Sequence, residues 1–296
     1  MRRHRTTARG MFLALLLLGL AAVTGTARSA TADTEGTVPK LVFPLVAKTD
    51  LWDNYGDSRG SHSHAGIDME NPWRAPVVAV EAGRVSYAES GLGGCMLYLY
   101  GRSGTMYMYI HLNNDLTPRN DNRGGCVEDV TFAVPNGARV SAGEHVAWNG
   151  DSGDASGKPH LHFEVHPNGG ADSNPFQHLR RASRPLFAAK LGSPFSLGLR
   201  GKLVAAGAGT MELEVERVRY YPGGRWLDID PRTVEVTVPP EALVAPALVA
   251  DVSLGARRTI GSPMPVIAYT AKGRATAEAI VGAVGALRIS RVSPAR

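Results

Sequence analysis

Short runs of alternating apolar and polar residues, separated by glycine turns, fill the chain from residue 41 to about 180. Three of them are VVAVEAGRVSYA (77–88), CMLYLYGRSGTMYMYIHL (95–112) and GARVSAGEHVAWNGDSG (137–153). Alternation with a period of two is typical of half-buried strands, and glycine at the breaks is typical of tight turns. No long 3.6-residue periodicity occurs in this region, so the pattern predicts antiparallel hairpins and excludes a helical bundle.

The clearest hairpin has its turn at residues 101–104, where GRSG separates LYLY from TMYMYIHL. In the second arm, alternation places Tyr107, Tyr109 and His111 on one face of the strand. The apolar residues between them fall on the opposite face. The pattern therefore predicts that His111 belongs to a polar face of the sheet.

The run HLHFEV (160–165) alternates in the same way. As a strand, it places His160, His162 and Glu164 on one face and its apolar residues on the other. Alternate residues of a strand lie roughly 6.5 Å apart, so two imidazoles on one face can converge on one metal ion and its bound water. The alternative is a pair of partly exposed histidines on a solvent face, and this run alone does not decide between the two.

A second histidine segment, SHSHAGIDME (61–70), carries His64 and Asp68. Gly66 and Ile67 in the spacer argue against a helix, so we expect a loop that enters a strand. One imidazole, one carboxylate and a distant imidazole are a common ligand set for a catalytic zinc ion, which keeps a fourth position for water.

The first 32 residues have the composition of a secretory signal peptide. An arginine-rich start is followed by an apolar run and by small residues at Ala30-Thr31-Ala32. A retained membrane anchor is the alternative. Without this segment the chain loses five of its 32 basic residues, and the remaining 27 balance 27 acidic ones. This balance argues against nucleic acid as a partner, and we expect a secreted or extracytoplasmic protein with no stable membrane span.

Cys95 and Cys126 are the two cysteines of the chain, and both belong to the exported part. An even pair in an oxidising compartment favours a disulfide, with two free thiols as the alternative. Closing this loop would stabilise the fold by roughly 3–4 kcal/mol in the chain-entropy model. The bond would tether residues 112–136, which are polar, rich in turn residues and predicted to form a long surface loop.

A second region follows a segment rich in proline, glycine and serine. We predict a domain over 33–185, a linker over 186–198, and a small β-barrel or sandwich domain over 199–296. Apolar residues alternate with glutamates in MELEVE and VEVTV, and the phase slips near residue 217, as a β-bulge would cause. The sequence of 276–290 predicts at most a short helix, because glycines interrupt it. The second domain has no histidine or cysteine, and its role stays open.

The residues of the first region resemble those of the lysostaphin-type peptidoglycan endopeptidases, the LytM or M23 metallopeptidases. The resemblance extends from Phe43 to Leu179. Its segments, in an order and spacing that also match, are HAGID (64–68), APVVAVEAGRV (75–85), YIHL (109–112), VSAGEHVAWNG (140–150), HLHFEV (160–165) and Asn174-Pro175. The fold that this resemblance implies is an antiparallel β-sheet domain of the duplicated hybrid motif type.

The resemblance also implies roles for five residues. His64, Asp68 and His162 correspond to the ligands of one Zn²⁺ ion per chain. His111 and His160 correspond to the pair that orients and deprotonates the metal-bound water. The implied activity is hydrolysis of amide bonds in the peptide stems or cross-bridges of peptidoglycan by an exported endopeptidase.

Glu164 is either a partner that orients an imidazole or a surface carboxylate. The remaining exported histidines match no functional position of the family and are predicted to be surface or packing residues; they are His62, His145, His166 and His178. The run GDSGD (150–154) is similar to the nucleophile loop of chymotrypsin-like proteases. Its fifth residue differs and no matching upstream histidine motif exists, so a serine protease is not expected.

Two alternatives to this activity remain at the level of the sequence. One is a catalytically silent module that binds the cell wall or regulates an amidase, and the other is a secreted endopeptidase acting on proteins. The resemblance does not indicate which peptidoglycan bond is cleaved, because loops beside the groove, such as 112–136, usually decide this.

Overall fold

The computed structural model describes residues 38–207, 209–220, 224–238, 240, 242–244, 266–270, 274–282, 287–288 and 291–294. The predicted signal peptide lies outside these residues. Within them, no helix is long and apolar enough to cross a membrane.

The first region consists of eight described strands in two antiparallel sheets. They are β1 (Ile67–Glu70), β2 (Pro76–Val78), β3 (Gly83–Ser90), β4 (Gly94–Gly101), β5 (Met106–Leu112), β6 (Arg139–Val140), β7 (His145–Trp148) and β8 (His160–His166). The larger sheet has the order β1-β8-β5-β4-β3-β6, and β2 pairs with β7. Helix α1 (Phe176–Arg180) follows β8. The predicted GRSG hairpin is the β4–β5 pair, and the mainly antiparallel β fold is confirmed.

The core of this region lies on one face of β5 and β8. Tyr109 pairs with Phe163 across the two strands, and their ring centroids lie 5.2 Å apart. Both tyrosines of β5 are fully buried, and each hydroxyl has a partner. The Tyr109 hydroxyl accepts the Val80 amide at 2.9 Å, and the Tyr107 hydroxyl donates to Glu81 at 2.8 Å. Burying one such side chain contributes about 1.5–3 kcal/mol.

The prediction that His111 shares a polar face with Tyr107 and Tyr109 is wrong. The tyrosines face the core, and the pairing of β4 with β5 shifts by one residue between Cys95 and Leu97. This shift is a β-bulge, and His111 within it has a left-handed backbone with φ 63°. The bulge interrupts the alternation, so the His111 side chain points to the opposite side of the sheet from the tyrosines.

The second region forms a seven-stranded, mostly antiparallel sheet in the described residues, which confirms its predicted β-rich character. Its strands are β9 (Leu197–Gly207), β10 (Thr210–Tyr220), β11 (Trp226–Thr237), β12 (Leu243–Val244), β13 (Val266–Thr270), β14 (Leu287–Arg288) and β15 (Arg291–Pro294), in the order β12-β15-β13-β9-β10-β11-β14. The register of β10 shifts between Val215 and Arg217, where the sequence pattern indicates a bulge.

The predicted short helix is α2 (Ala277–Val281). Thr276 caps its start by accepting a hydrogen bond from the Ala279 amide at 3.1 Å, and Gly282 ends it with φ 73°. The helix packs against the segment that the sequence predicts as a linker, because the Ile280 carbonyl accepts the Leu186 amide at 2.5 Å.

The two regions share a hydrophobic core. Leu186 and Phe187, from the predicted linker, are fully buried in one cluster with Val46 and Val78 of the first region and with the apolar faces of β9 to β11. Their segment is therefore a packed connection, and the chain from residue 35 onward forms one compact unit.

Cys95 and Cys126 form a disulfide. The bond joins β4 to the loop that follows β5, and this loop is organised around Asp115, which is fully buried. One oxygen of Asp115 accepts the Trp73 indole N–H at 2.8 Å, and the other accepts the Asp121 and Asn122 amides. The loop is consequently held in place beside the outer end of β5.

Candidate metal centre

Three of the predicted site residues converge at the edge of the larger sheet. Asp68 lies in β1 directly opposite His162 in β8, and His64 precedes β1 by three residues. His64 Nε2 lies 3.0 Å from Asp68 Oδ1 and 2.9 Å from His162 Nδ1, and the last two atoms lie 2.9 Å apart. The three side chains form the one group of this kind in the part of the chain that the structure describes.

The hydrogen bonds behind the imidazoles determine which nitrogens face the cluster. His64 Nδ1 donates to the Asn54 carbonyl at 2.7 Å, and His162 Nε2 donates to Glu164 at 2.9 Å. A carbonyl or carboxylate can only accept, so His64 Nε2 and His162 Nδ1 are left to face the Asp68 carboxylate. Three acceptor atoms at this spacing require a positive charge among them, which is either a proton on His162 or a metal ion.

This donor set fits zinc. Two imidazole nitrogens and one carboxylate oxygen are ligands that Zn²⁺ prefers, and ligands about 2 Å from a tetrahedral ion lie roughly 3.3 Å from each other. The three atoms lie within 3.0 Å of one another, close to that spacing. The buried partners behind the imidazoles, Asn54 and Glu164, are of the type that orients metal-binding histidines.

The electrostatics of the cluster favour a cation. Burial alone would raise the pKa of Asp68, but the hydrogen bond from His162 and the neighbouring imidazoles hold it below its usual value. Burial alone would lower the pKa of His162, but its hydrogen bonds to Asp68 and Glu164 outweigh this and raise it to about 9. Arg59 adds a salt bridge to Asp68 Oδ2 at 2.5 Å. A metal ion at this position would replace the His162 proton.

A glycine allows the cluster to form. A Cβ atom on Gly66 would lie 2.5 Å from the Phe163 carbonyl oxygen and 2.8 Å from His162 Nε2. These distances are shorter than any allowed contact, so a larger residue would displace β8 or the imidazole. Gly66 is therefore needed for the close approach of the His64 segment to the strand that carries His162.

His111 and His160 lie beside the cluster, with ring centroids 4.8 Å apart. His111 Nδ1 donates to the Ser152 carbonyl at 2.9 Å, and His160 Nδ1 donates to the Lys158 carbonyl at 2.7 Å. Each ring therefore presents Nε2 toward the groove, and Nε2 of His160 lies 3.7 Å from Asp68 Oδ1. Burial and the neighbouring His160 lower the pKa of His111 to about 4, so its Nε2 carries a lone pair at neutral pH.

Glu164 is a hydrogen-bonding partner of the cluster and not a surface carboxylate. It is 9% exposed, and its second oxygen accepts His166 Nε2 at 2.6 Å. Burial would raise the pKa of Glu164, but the two imidazoles lower it to about 2. His166 lies on the face of β8 that carries His162 and Glu164, and it also donates from Nδ1 to the Gly170 carbonyl at 3.0 Å.

Sequence reasoning also missed Asn54, Arg59 and Ser152. Asn54 accepts from His64 and, through Oδ1, from the Asp68 amide at 3.1 Å. Ser152 lies in the GDSGD run, but its hydroxyl is buried and donates to the Leu112 carbonyl at 2.6 Å, which is a structural contact. Asn54 and Ser152 hold the His64 and His111 rings through their backbone carbonyls, which no side-chain motif indicates, and Arg59 reaches Asp68 from a neighbouring loop.

The other histidines lie away from the three converging atoms. His62 is exposed on the rim of the groove, and His178 is partly exposed on α1. His145 packs edge-on against Trp148 and donates from Nε2 to the Ala147 carbonyl at 3.0 Å. Burial lowers the pKa of His145 to about 4, as expected for a packing residue.

The cluster opens into a groove of about 870 Å³, which we call the metal-site groove. Its lining includes five large apolar or aromatic side chains, those of Leu92, Met96, Tyr98, Met108 and Ile110. It also includes the charged residues Arg59, Asp154 and Lys158. A groove lined by both apolar and charged side chains suits an extended peptide with mixed side chains.

The chain is similar to known proteins over part of its length. No family model matches the chain. A metalloprotease of Haemophilus influenzae, itself uncharacterized, is 33% identical over 110 residues, which cover 36% of this chain and 19% of the relative. The first half of the chain resembles the M23-type metallopeptidases. This M23-like half is also 29% identical over 146 residues to the lipoprotein YgeR of Escherichia coli, covering 47% of this chain and 51% of that one.

Among solved structures, the catalytic domain of the antimicrobial peptidase lysostaphin from Staphylococcus simulans is similar to the M23-like half. The identity is 24%, the match covers 45% of this chain and 92% of that domain, and the TM-score is 0.35. The chain spans about a fifth of the length of the first curated relative and about half of the second.

Proposed function

We propose that this protein is an exported zinc metalloendopeptidase that hydrolyses amide bonds in the peptide part of peptidoglycan. The observation that carries the proposal is the convergence of two imidazole nitrogens and one carboxylate oxygen beside two further imidazoles in an open groove. The resemblance to the lysostaphin-type endopeptidases supports peptidoglycan as the substrate, and the sequence similarity to a metalloprotease supports the reaction class.

In this proposal His64 Nε2, Asp68 Oδ1 and His162 Nδ1 hold one zinc ion. When bound, zinc acts as a Lewis acid on a substrate carbonyl and makes water a stronger acid. One carboxylate among the three ligands leaves the site with a net positive charge, which favours negative charge developing on the carbonyl oxygen.

His111 and His160 move the proton in this proposal. Their Nδ1 atoms are held by the Ser152 and Lys158 carbonyls, so each ring has a fixed tautomer with Nε2 toward the groove. An imidazole nitrogen in this state takes a proton from the attacking water and returns it to the leaving amine. The imidazolium that forms also stabilises the oxyanion.

The test is mass spectrometry of muropeptides from cross-linked sacculi incubated with the zinc-loaded protein. We expect conversion of cross-linked dimers to monomers by the wild type, and the new amine identifies the cleaved bond. His111→Ala is expected to bind zinc and cleave nothing, whereas His162→Ala is expected to lose both. Intact sacculi after treatment with zinc-loaded wild type would contradict the proposal and favour a silent wall-binding module.

A further inference from the structure

The metal-site groove is the first part of a longer trough. It shares Arg59, Asp68, Lys158 and His160 with a second depression of about 630 Å³. This middle depression shares Trp52, Glu70 and Pro159 with a third one of about 620 Å³, which we call the distal pocket. Because each depression shares its boundary residues with the next, one ligand can extend from the metal site into the distal pocket.

Both regions of the chain build the distal pocket. Trp226 begins β11 and Arg225 directly precedes it, and Trp52, Glu70 and Pro72 belong to the M23-like half. The two parts are joined here by a hydrogen bond from the Lys48 amide to the Asp228 carbonyl at 2.7 Å and by the buried cluster of Ala47, Ala75 and Leu227. The second region therefore forms one wall of the trough.

The lining of the distal pocket combines two indoles with charges of both signs. Trp52 is 43% exposed, and Trp226 is partly exposed. The charged residues are Lys48, Asp50, Glu70, Arg225 and Asp228, so cations and anions nearly balance. A phosphate or a nucleic acid would require an excess of cations, which this pocket does not have. The lining instead fits an uncharged, amphipathic ligand with many hydroxyl groups.

We propose that the distal pocket binds an N-acetylated amino sugar of the substrate while the attached peptide occupies the metal-site groove. This inference rests on the proposed function. The C–H faces of a pyranose ring are apolar and pack on an indole, whose ring combines a large apolar area with an electron-rich face. The hydroxyl and acetamido groups around the ring edge match the surrounding carboxylate, ammonium and guanidinium groups.

The spacing agrees with the covalent structure of peptidoglycan. Asp68 and Glu70 lie on the same face of β1, so the near wall of the pocket begins roughly 7 Å from the metal ligand. A peptide stem joins the sugar within about three or four residues of a cross-link, a reach of roughly 10–14 Å when extended. A sugar tethered by such a stem therefore reaches past Glu70 into the distal pocket.

The test compares two substrates of the zinc-loaded protein. One is a cross-linked muropeptide dimer that carries its disaccharides, and the other is the same peptide dimer without sugar. We expect the wild type to have a KM about tenfold lower for the sugar-bearing dimer, with a similar kcat. In Trp52→Ala and Trp226→Ala the KM of the sugar-bearing dimer should rise to that of the sugar-free dimer. Trp52→Phe should retain part of the wild-type preference for the sugar-bearing dimer, and Tyr100→Ala, which removes an exposed aromatic residue outside the trough, should retain all of it.

The outcomes separate this inference from the proposed function. Cleavage of both dimers with equal KM by the wild type would overturn the sugar site and leave the endopeptidase intact. An equal rise of KM for both dimers in the tryptophan variants would have the same meaning. If neither dimer is cleaved, the proposed function fails, and titration with the free N-acetylated disaccharide decides the sugar site. Saturable binding that Trp52→Ala abolishes would support it, and no binding at millimolar disaccharide would overturn it.

Discussion

At the residue scale, Glu164 connects the metal cluster to the rest of β8. It accepts His162 Nε2 through one oxygen and His166 Nε2 through the other, at 2.9 and 2.6 Å. The first contact keeps a proton on Nε2 of His162 and therefore leaves Nδ1 for a metal ion. The negative charge of Glu164 also makes the imidazole a stronger electron donor.

Glu164→Gln is expected to weaken zinc binding by about 10–100-fold, because a neutral amide polarises His162 less than a carboxylate does. The matched control is Glu89→Gln, an exposed glutamate on β3 that contacts none of the cluster. Competition with a chelator of known affinity measures the change. Equal zinc affinities of the Glu164 and Glu89 variants would show that Glu164 does not orient His162.

His145 makes stability depend on pH. Its folded-state pKa of about 4 lies below the ordinary value of 6.5, so the unfolded chain binds the proton first as the pH falls. Protonation of this residue in the unfolded chain should therefore lower the free energy of unfolding by on the order of 1–3 kcal/mol as the pH falls from 6.5 to 4. The free energy of unfolding of His145→Gln should depend less steeply on pH over this range. Urea denaturation of protein freed of metal with a chelator measures this slope. An unchanged slope would contradict this assignment.

The candidate site was predictable from the sequence to the extent that its residues lie on regular strands or match a family. The alternation of HLHFEV correctly predicts which residues share a face, and the convergence with His64 and Asp68 follows from β1–β8 pairing. Asn54 and Ser152 could not be predicted, because they act through carbonyl groups that every residue possesses. Their positions depend on loops that only the folded chain brings to the site.

At the scale of elements, the bulge in β5 determines where His111 points. Strand alternation predicts the faces of Tyr107 and Tyr109 relative to each other, but a bulge depends on the pairing with β4, which is not encoded locally. A left-handed backbone at a residue other than glycine costs on the order of 1–3 kcal/mol. The disulfide at Cys95 and the contact with Ser152 hold the chain in this conformation.

The strain at this position can be measured with two variants. His111→Gly and His111→Ala both remove the imidazole, but glycine adopts φ 63° without a Cβ penalty. We expect the glycine variant to be more stable than the alanine variant by about 1 kcal/mol, despite its more flexible unfolded chain. Chemical denaturation of both proteins measures the difference. Greater stability of the alanine variant would indicate that the bulge is not populated.

At the scale of the whole molecule, the two regions are joined by a continuous core. The proline, glycine and serine residues of 186–198 are typical of a linker, yet Leu186 and Phe187 are fully buried. Composition alone could not reveal this, because burial of two residues depends on the partner surface formed by α2 and by Val46. The strands of the second region were predictable, whereas its packing against the first was not.

Ile280→Ala tests this shared core. Ile280 is fully buried on α2, and a Cβ on Gly143 in the M23-like half would lie 3.1 Å from its side chain. The substitution should destabilise the protein by about 2–5 kcal/mol. Both regions should still unfold in a single transition, whose midpoint temperature is lower than that of the wild type. Thermal unfolding followed by circular dichroism and tryptophan fluorescence tests this. Two separate transitions, with the first region unaffected, would show that the regions fold independently.

The most direct test of the metal centre is a calorimetric titration in which zinc is added to protein that has been freed of metal with a chelator. The convergence of His64 Nε2, Asp68 Oδ1 and His162 Nδ1 predicts one zinc ion per chain, with binding lost in His162→Ala and retained in His111→Ala. Substoichiometric binding by the wild type, or equal affinity in His162→Ala, would contradict the assignment of these three residues as the zinc ligands.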